Sequence, residues 1–245
     1  MEENTFAIVS LILPVLPPLI MILAATLQAS VGYGYGIVAV PLLLLVNPAF
    51  IPAPFIFASL ILMMSVSFTN RKALSGQRLG WIFVGLVAGT PVGVLLLTYF
   101  KDINYSLAVA GIILFGVLLS FLRTPVPINP LTQSFCGFLS AVMGTATGVG
   151  GAPIALLYQY ETGWSIRAVL SVVFCMASLF SFIGVLAGGL FLTEQLLLSL
   201  QLIPGVFAGH WLGARLAPWI DRGYSRPAIL ILSIASVAAV LLKNT

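Results

Sequence analysis

Charge is what this chain has least of. Ten Lys and Arg, six Asp and Glu and one His are spread over 245 residues, so charged side chains make up 7% of the total; soluble domains carry about a quarter. From Asn4 to Asn70 there is no Asp, Glu, Lys, Arg or His at all. As helix, that run would extend about 100 Å, roughly three hydrocarbon cores of ~30 Å. Further uncharged runs are Leu79–Phe100, Ile103–Leu122, Thr124–Tyr160, Ala168–Thr193 and Pro227–Leu242. With 60% hydrophobic residues and a mean hydropathy of +1.16, the expected class is an all-α integral membrane protein, multi-pass in the cell membrane, with the lipid bilayer as its partner. The alternating segments of about ten residues that a β-barrel requires are missing.

Other absences narrow the function. All six acidic residues (Glu2, Glu3, Asp102, Glu161, Glu194, Asp221) fall at chain ends or between apolar segments. Intramembrane carboxylates are the usual mark of a cation pathway, so a cation carrier is disfavoured. Cys136 and Cys175 stand in separate apolar segments with no CxxC spacing, and read as small buried hydrophobes instead of a thiol relay. There is no Walker loop, no metal-ligand cluster and no Ser/His/Asp set. An enzyme is therefore not expected, nor a cofactor or metal. The basic residues are scattered and form no nucleic-acid patch. Glu2 and Glu3 stand where a cleaved signal has its basic region.

What the chain does have is glycine, in two breaks inside apolar segments. The first reads Ser30-Val31-Gly32-Tyr33-Gly34-Tyr35-Gly36 and is followed by Pro41. The second reads Thr145-Ala146-Thr147-Gly148-Val149-Gly150-Gly151-Ala152-Pro153. Irregular backbone survives at membrane depth only where protein buries it or a wet cavity meets it. Matching breaks in two halves point to a transporter's binding site.

The breaks align at an offset of 116 residues, Gly32 on Gly148 and Gly34 on Gly150. The same offset places Gly89 on Gly205 and Gly93 on Gly209. Two repeats follow, 1–123 and 124–245, divided at the proline-rich stretch Thr124-Pro125-Val126-Pro127-Ile128-Asn129-Pro130. The ridges Gly89-x-x-x-Gly93 and Gly205-x-x-x-Gly209-x-x-x-Gly213 predict close helix packing.

Basic residues favour the cytoplasmic side. If each break is the tip of a re-entrant hairpin, Arg71, Lys72, Arg78, Arg123, Arg167, Arg215, Arg222 and Arg226 lie inside, and only Lys101 and Lys243 outside. If each broken segment crosses once, the ten split evenly. The hairpin arrangement gives about eight membrane segments in two inverted repeats, with both termini outside. Two thin crossings per break stay open as the other geometry. Ordinary spans are expected at Pro52–Phe68, Leu79–Tyr99, Tyr105–Leu122, Ile166–Leu190, Leu196–Ala217 and Pro227–Leu242.

A helix that starts at membrane depth has amides without internal partners and a partial positive charge of about half a unit. Pro153 suits a first helical turn, so the second arm is expected to start near Ala152 and the first near Gly36. Glycine lets a ligand approach the backbone closely. Two such ends meeting form an anion site without a buried cation. The candidate substrate-binding residues are Ser30, Gly32, Tyr33, Gly34, Tyr35, Gly36, Thr145, Thr147, Gly148, Gly150 and Gly151, with the hydroxyls and phenols as added donors. His210 reads either as a titrating group or as a polar contact between helices. Arg71 and Lys72 read as topology signals or as an anion-attracting pair, and Glu161 as a partner for Arg167.

The paired motifs resemble the TauE/SafE family of sulfite and organosulfonate exporters, in which a glycine cluster is followed by a proline-containing apolar run once in each half. Here these are Gly32 to Leu42 and Gly148 to Pro153. Tyr35 and Ala152 stand where the family pattern has glycine, and Tyr35 would reshape the pocket. The resemblance implies a secondary transporter, an exporter of a small sulfur-containing anion, with a homo-oligomer possible. The residues alone leave an anion channel, or a membrane interaction subunit with no transport cycle, as the other class.

Overall fold

The structure is a computed structural model and describes residues 14–70, 79–100, 105–121, 126–160 and 164–220. Among the described residues there are nine α-helices and no strand. They are α1 (Leu16–Val31), α2 (Tyr35–Val46), α3 (Ala53–Asn70), α4 (Gly80–Phe100), α5 (Tyr105–Phe121), α6 (Pro130–Thr147), α7 (Gly151–Leu157), α8 (Trp164–Ala187) and α9 (Thr193–Ile220). A 3₁₀ turn at Pro48–Phe50 follows α2. Five of the six expected spans correspond to α3, α4, α5, α8 and α9. The sixth, Pro227–Leu242, lies outside the described residues. So do Arg71, Lys72, Arg78, Lys101, Arg123, Arg222, Arg226 and Lys243, most of the basic count, as well as Glu161, the acidic half of the suggested pair with Arg167.

Among the described residues, three stretches are long and apolar enough to cross a membrane: Gly80–Tyr99, Ala168–Ala187 and Thr193–Pro218. α1, α2 and α3 are apolar but shorter. Leu19, Leu23, Val84, Leu95, Leu197 and Phe207 are exposed on helices that are also apolar inside, the pattern of helices surrounded by lipid. The second arms are short. The 12 residues of α2 and the seven of α7 rise about 18 and 10 Å, less than a ~30 Å hydrocarbon core.

Both breaks begin with the same stop. Gly32 ends α1 in the left-handed region, φ 86°, its N–H bonded to Gln28 O at 2.8 Å. Gly148 ends α6 with φ 83° and the same bond to Gly144 O at 2.8 Å. Only glycine takes this conformation without Cβ strain.

The glycine ridges are packing surfaces. α4 lies on α6, and α9 on α1. A Cβ on Gly85 or Gly89 would run into Ser134 O or Phe138 O, and one on Gly93 would lie 2.7 Å from Thr145 Cβ and 3.0 Å from Val142 O. On Gly205, Gly209 or Gly213 it would run into Pro18 O, Ile22 O and Thr26 O. The carbonyls of the two series are 116 residues apart, but the glycines are 120 apart. The alignment of Gly89 with Gly205 is thus corrected by one helical turn: Gly85-Gly89-Gly93 answers Gly205-Gly209-Gly213. Four extra residues before the second ridge are close to one turn of 3.6, so the glycine face is kept. Thr26 Oγ1 adds a 3.2 Å bond to Gly209 O across one of these seams. A large core then runs from Met21 and Val38 to Ile154 and Leu202, with a smaller cluster of Ala53, Ile56, Leu97 and Val185 beside it.

Candidate functional site

Where the two breaks meet, the structure forms a half-open cavity of about 80 Å³. One water needs some 10–15 Å³ on this scale, so the space suits a small polyatomic ion or a few waters. Gly34, Tyr35 and Gly36 line it from the first break, and Gly148, Gly150 and Gly151 from the second. Tyr33 lines it as well. The remaining wall comes from the middles of α3 and α8, through Ser59, Met63, Phe174, Ser178 and Ser181, and from Gln28, Ser140 and Gly144 of the first arms.

The second arms start as the sequence indicates, within one residue. α2 begins at Tyr35 and α7 at Gly151. The caps differ. Gly34 has φ 109°, which calls for glycine. Gly150 has φ −113°, open to any residue, and is restricted by space instead. A Cβ there would overlap Ser140 O and come within 2.9 Å of Gly144 Cα. The two breaks touch backbone to backbone, since a Cβ on Gly36 would lie 2.7 Å from Gly148 O.

Four of the expected site residues stand outside the lining. Ser30 Oγ donates to Thr26 O at 2.6 Å. Gly32 O accepts from Gln28 Nε2 at 2.9 Å. Thr147 Oγ1 donates to Met143 O at 2.8 Å and accepts from Val149 N at 3.2 Å, holding the turn from within. Thr145, fully buried, shares a 2.7 Å hydrogen bond with Ser181 Oγ, and it is Ser181 that reaches the cavity. The hydroxyls of Ser30 and Thr147 thus serve the backbone, and that of Thr145 positions Ser181.

Tyr35 fills space. Its ring stacks on Phe55 with centroids 4.7 Å apart, and its hydroxyl reaches Met21 Sδ at 3.8 Å. The second copy has Gly151 at the matching place, where a Cβ would meet Tyr33 Cε2 at 3.3 Å. Tyr33 therefore crowds Gly151 in the cavity wall, while Tyr35 lines the cavity and packs its ring on Phe55.

The residues missed by sequence reasoning are isolated polar ones on first arms or central helices. Gln28 is 2% exposed. Its Nε2 bonds Gly32 O, and its Oε1 accepts from Tyr35 N at 3.4 Å, so one carboxamide spans the first break. Ser140 Oγ bonds Gly150 O at 2.5 Å across the second. A signal was present: Gln28 is the one glutamine between Asn4 and Asn70, and a buried amide at membrane depth needs partners.

His210 Nε2 lies 3.5 Å from Thr69 Oγ1, between α9 and α3, and is not part of the cavity lining. Arg215 stacks over Trp211, 3.8 Å from the ring centroid, a pairing suited to a helix end at the membrane surface. The cysteines are free, Cys136 buried and Cys175 half-buried. Among the described residues no cluster of His, Cys, Asp or Glu is placed to hold a metal ion.

A protein-family model, Sulfite exporter TauE/SafE, matches residues 18–240. The chain belongs to this family. TauE/SafE proteins are membrane transporters and not enzymes, and the expectation of a membrane transport protein stands on that membership as well as on the apolar helices. No curated protein and no solved structure matches the chain.

Proposed function

We propose that this TauE/SafE protein exports a small sulfur-containing anion, sulfite or an organosulfonate, across the cell membrane. The reading rests on one observation above the rest: a single small cavity is lined by glycines of both breaks. Residues 1–123 and 124–245 act as two inverted halves. Each contributes a hairpin whose tip stays at mid-membrane, and alternating access turns on the seam between them. The anion sits against backbone amides at Gly36, Gly150 and Gly151. Tyr33 and Tyr35 limit its size, Ser181 is held by Thr145, and Ser30, Gly32, Thr147 and Gly148 keep the breaks in shape. Hydrogen bonds from neutral donors to a charged acceptor contribute about 1.5–3 kcal/mol each. Four or five of them, less desolvation and ordering, give micromolar to millimolar affinity. That range suits a carrier that must release its cargo.

Thermal unfolding of the purified protein with added ligands tests the substrate class. Sulfite and small sulfonates should raise the midpoint, and carboxylates of similar size should do so less. Equal stabilisation by all of them would refute a sulfur-anion site. Cysteine labelling tests the inversion. With Cys136 and Cys175 replaced, probes at positions 3 and 75 should react from opposite sides of the membrane, and reaction from one side only would exclude the arrangement.

A further inference from the structure

We propose that Gln28 contacts the substrate directly, its carboxamide giving one N–H to an oxygen of the bound anion. This rests on the reading of the cavity as an anion site and names the side chain that completes it.

The donors around the cavity are fewer than its polar residues suggest. Ser59 Oγ has given its proton to Phe55 O at 2.8 Å, and Ser140 Oγ to Gly150 O. A hydroxyl so engaged turns lone pairs toward the cavity, and an anion gains nothing from them. Gln28 is different. Its two contacts fix which way the amide lies, because Gly32 offers a carbonyl and Tyr35 an N–H. Nε2 has two hydrogens and Oε1 is an acceptor. One hydrogen goes to Gly32 O, and among the described residues no protein acceptor takes the other. The residue is 2% exposed and lines the cavity. A buried N–H without an acceptor is costly, and an anion oxygen in the cavity supplies the missing one. The corresponding residue of the second half, 116 positions on, is Gly144, which has no side chain. The contact therefore comes from one half only and makes the site asymmetric.

Gln28→Glu separates contact from mere support. When protonated, its carboxyl donates O–H to Gly32 O and accepts from Tyr35 N–H, so both existing bonds are kept. It has no second hydrogen to give. Affinity for methanesulfonate, which keeps its charge as the pH is lowered, is measured at the pH where the variant's unfolding midpoint matches that of the wild type. The expected result is affinity about 10–100-fold weaker than wild type despite restored stability. Wild-type affinity at that pH would overturn the proposal and leave Gln28 as a clamp alone. Should the wild type bind no sulfite or sulfonate, the anion reading of the cavity fails first. If the variant does not fold at any pH, the wild-type chain decides by ¹⁵N-glutamine spectroscopy in lipid. A side-chain amide resonance that shifts on saturation with methanesulfonate supports the contact, and six unmoved resonances, one for each glutamine of the chain, overturn it.

Discussion

Gly150→Leu is expected to abolish anion binding while the protein still inserts into the membrane. Insertion follows hydropathy, which leucine raises. Binding follows the shape of the break, and here there is no room. The new Cβ would overlap Ser140 O and press on Gly144 Cα and N at 2.9 and 3.0 Å. All of these are backbone atoms of α6, which cannot swing aside as a side chain can. The break must move away from α6, and the bond between Ser140 Oγ and Gly150 O must break with it. Losing two hydrogen bonds to a charged ligand, about 1.5–3 kcal/mol each, corresponds to roughly 100-fold or more in affinity, so affinity for sulfite should fall by at least about that much. Gly34→Leu should act similarly by another route, forcing a leucine to φ 109°, a conformation that costs an L-residue roughly 1–2 kcal/mol. Equilibrium binding on purified, correctly folded variants checks both. Full affinity in either would make that break a structural feature only.

The second large effect is on folding. Gly209→Leu should prevent the native packing of α9 on α1. Its Cβ would come to 2.5 Å from Ile22 O and 2.7 Å from Ala25 Cβ, and three further carbons would have to follow it into the seam. Overpacking a well-fitted interior costs about 1–3 kcal/mol and sometimes more. In lipid the close approach of backbones is itself a main source of helix association. Expected are a strongly lowered unfolding midpoint and a poor yield of folded protein. Gly111→Leu is the control, since nothing lies within 4 Å of a Cβ at that exposed position, and it should behave as wild type. Equal loss in both variants would remove the packing role of the ridge.

The class of the protein was legible from its missing charges, because nothing but lipid tolerates uncharged segments of that length. The starts of α2 and α7 were legible too. Glycine followed by a proline-bearing apolar run marks a stop and a restart in local chemistry alone, and the structure agrees within one residue at each. The ridge register was not. At 116 residues Gly89 falls on Gly205 by chance of the four-residue glycine period, and the true correspondence appears only when both ridges are seen against carbonyls of α6 and α1. The hydroxyls were harder still. From sequence, Ser30, Thr145 and Thr147 are simply donors near a break. Ser30 and Thr147 give their protons to Thr26 O and Met143 O, and Thr145 shares a hydrogen bond with Ser181 Oγ; a sequence carries no record of that partition. Gln28 and Ser140 reach the cavity from one or two turns before the break, since side chains four residues apart share a helix face. A search confined to the glycine motif passes over both.

Counterflow tests the central claim most directly. Purified protein is placed in liposomes loaded with unlabelled sulfite, and labelled sulfite is added outside. A carrier working by alternating access should draw label inward above its equilibrium level for a time. The initial rate should saturate with concentration, small sulfonates should compete and carboxylates should compete less, and Gly150→Leu should show none of this. A flux that rises linearly with concentration, without transient accumulation, or one that survives in Gly150→Leu, would contradict a carrier built on the two glycine breaks.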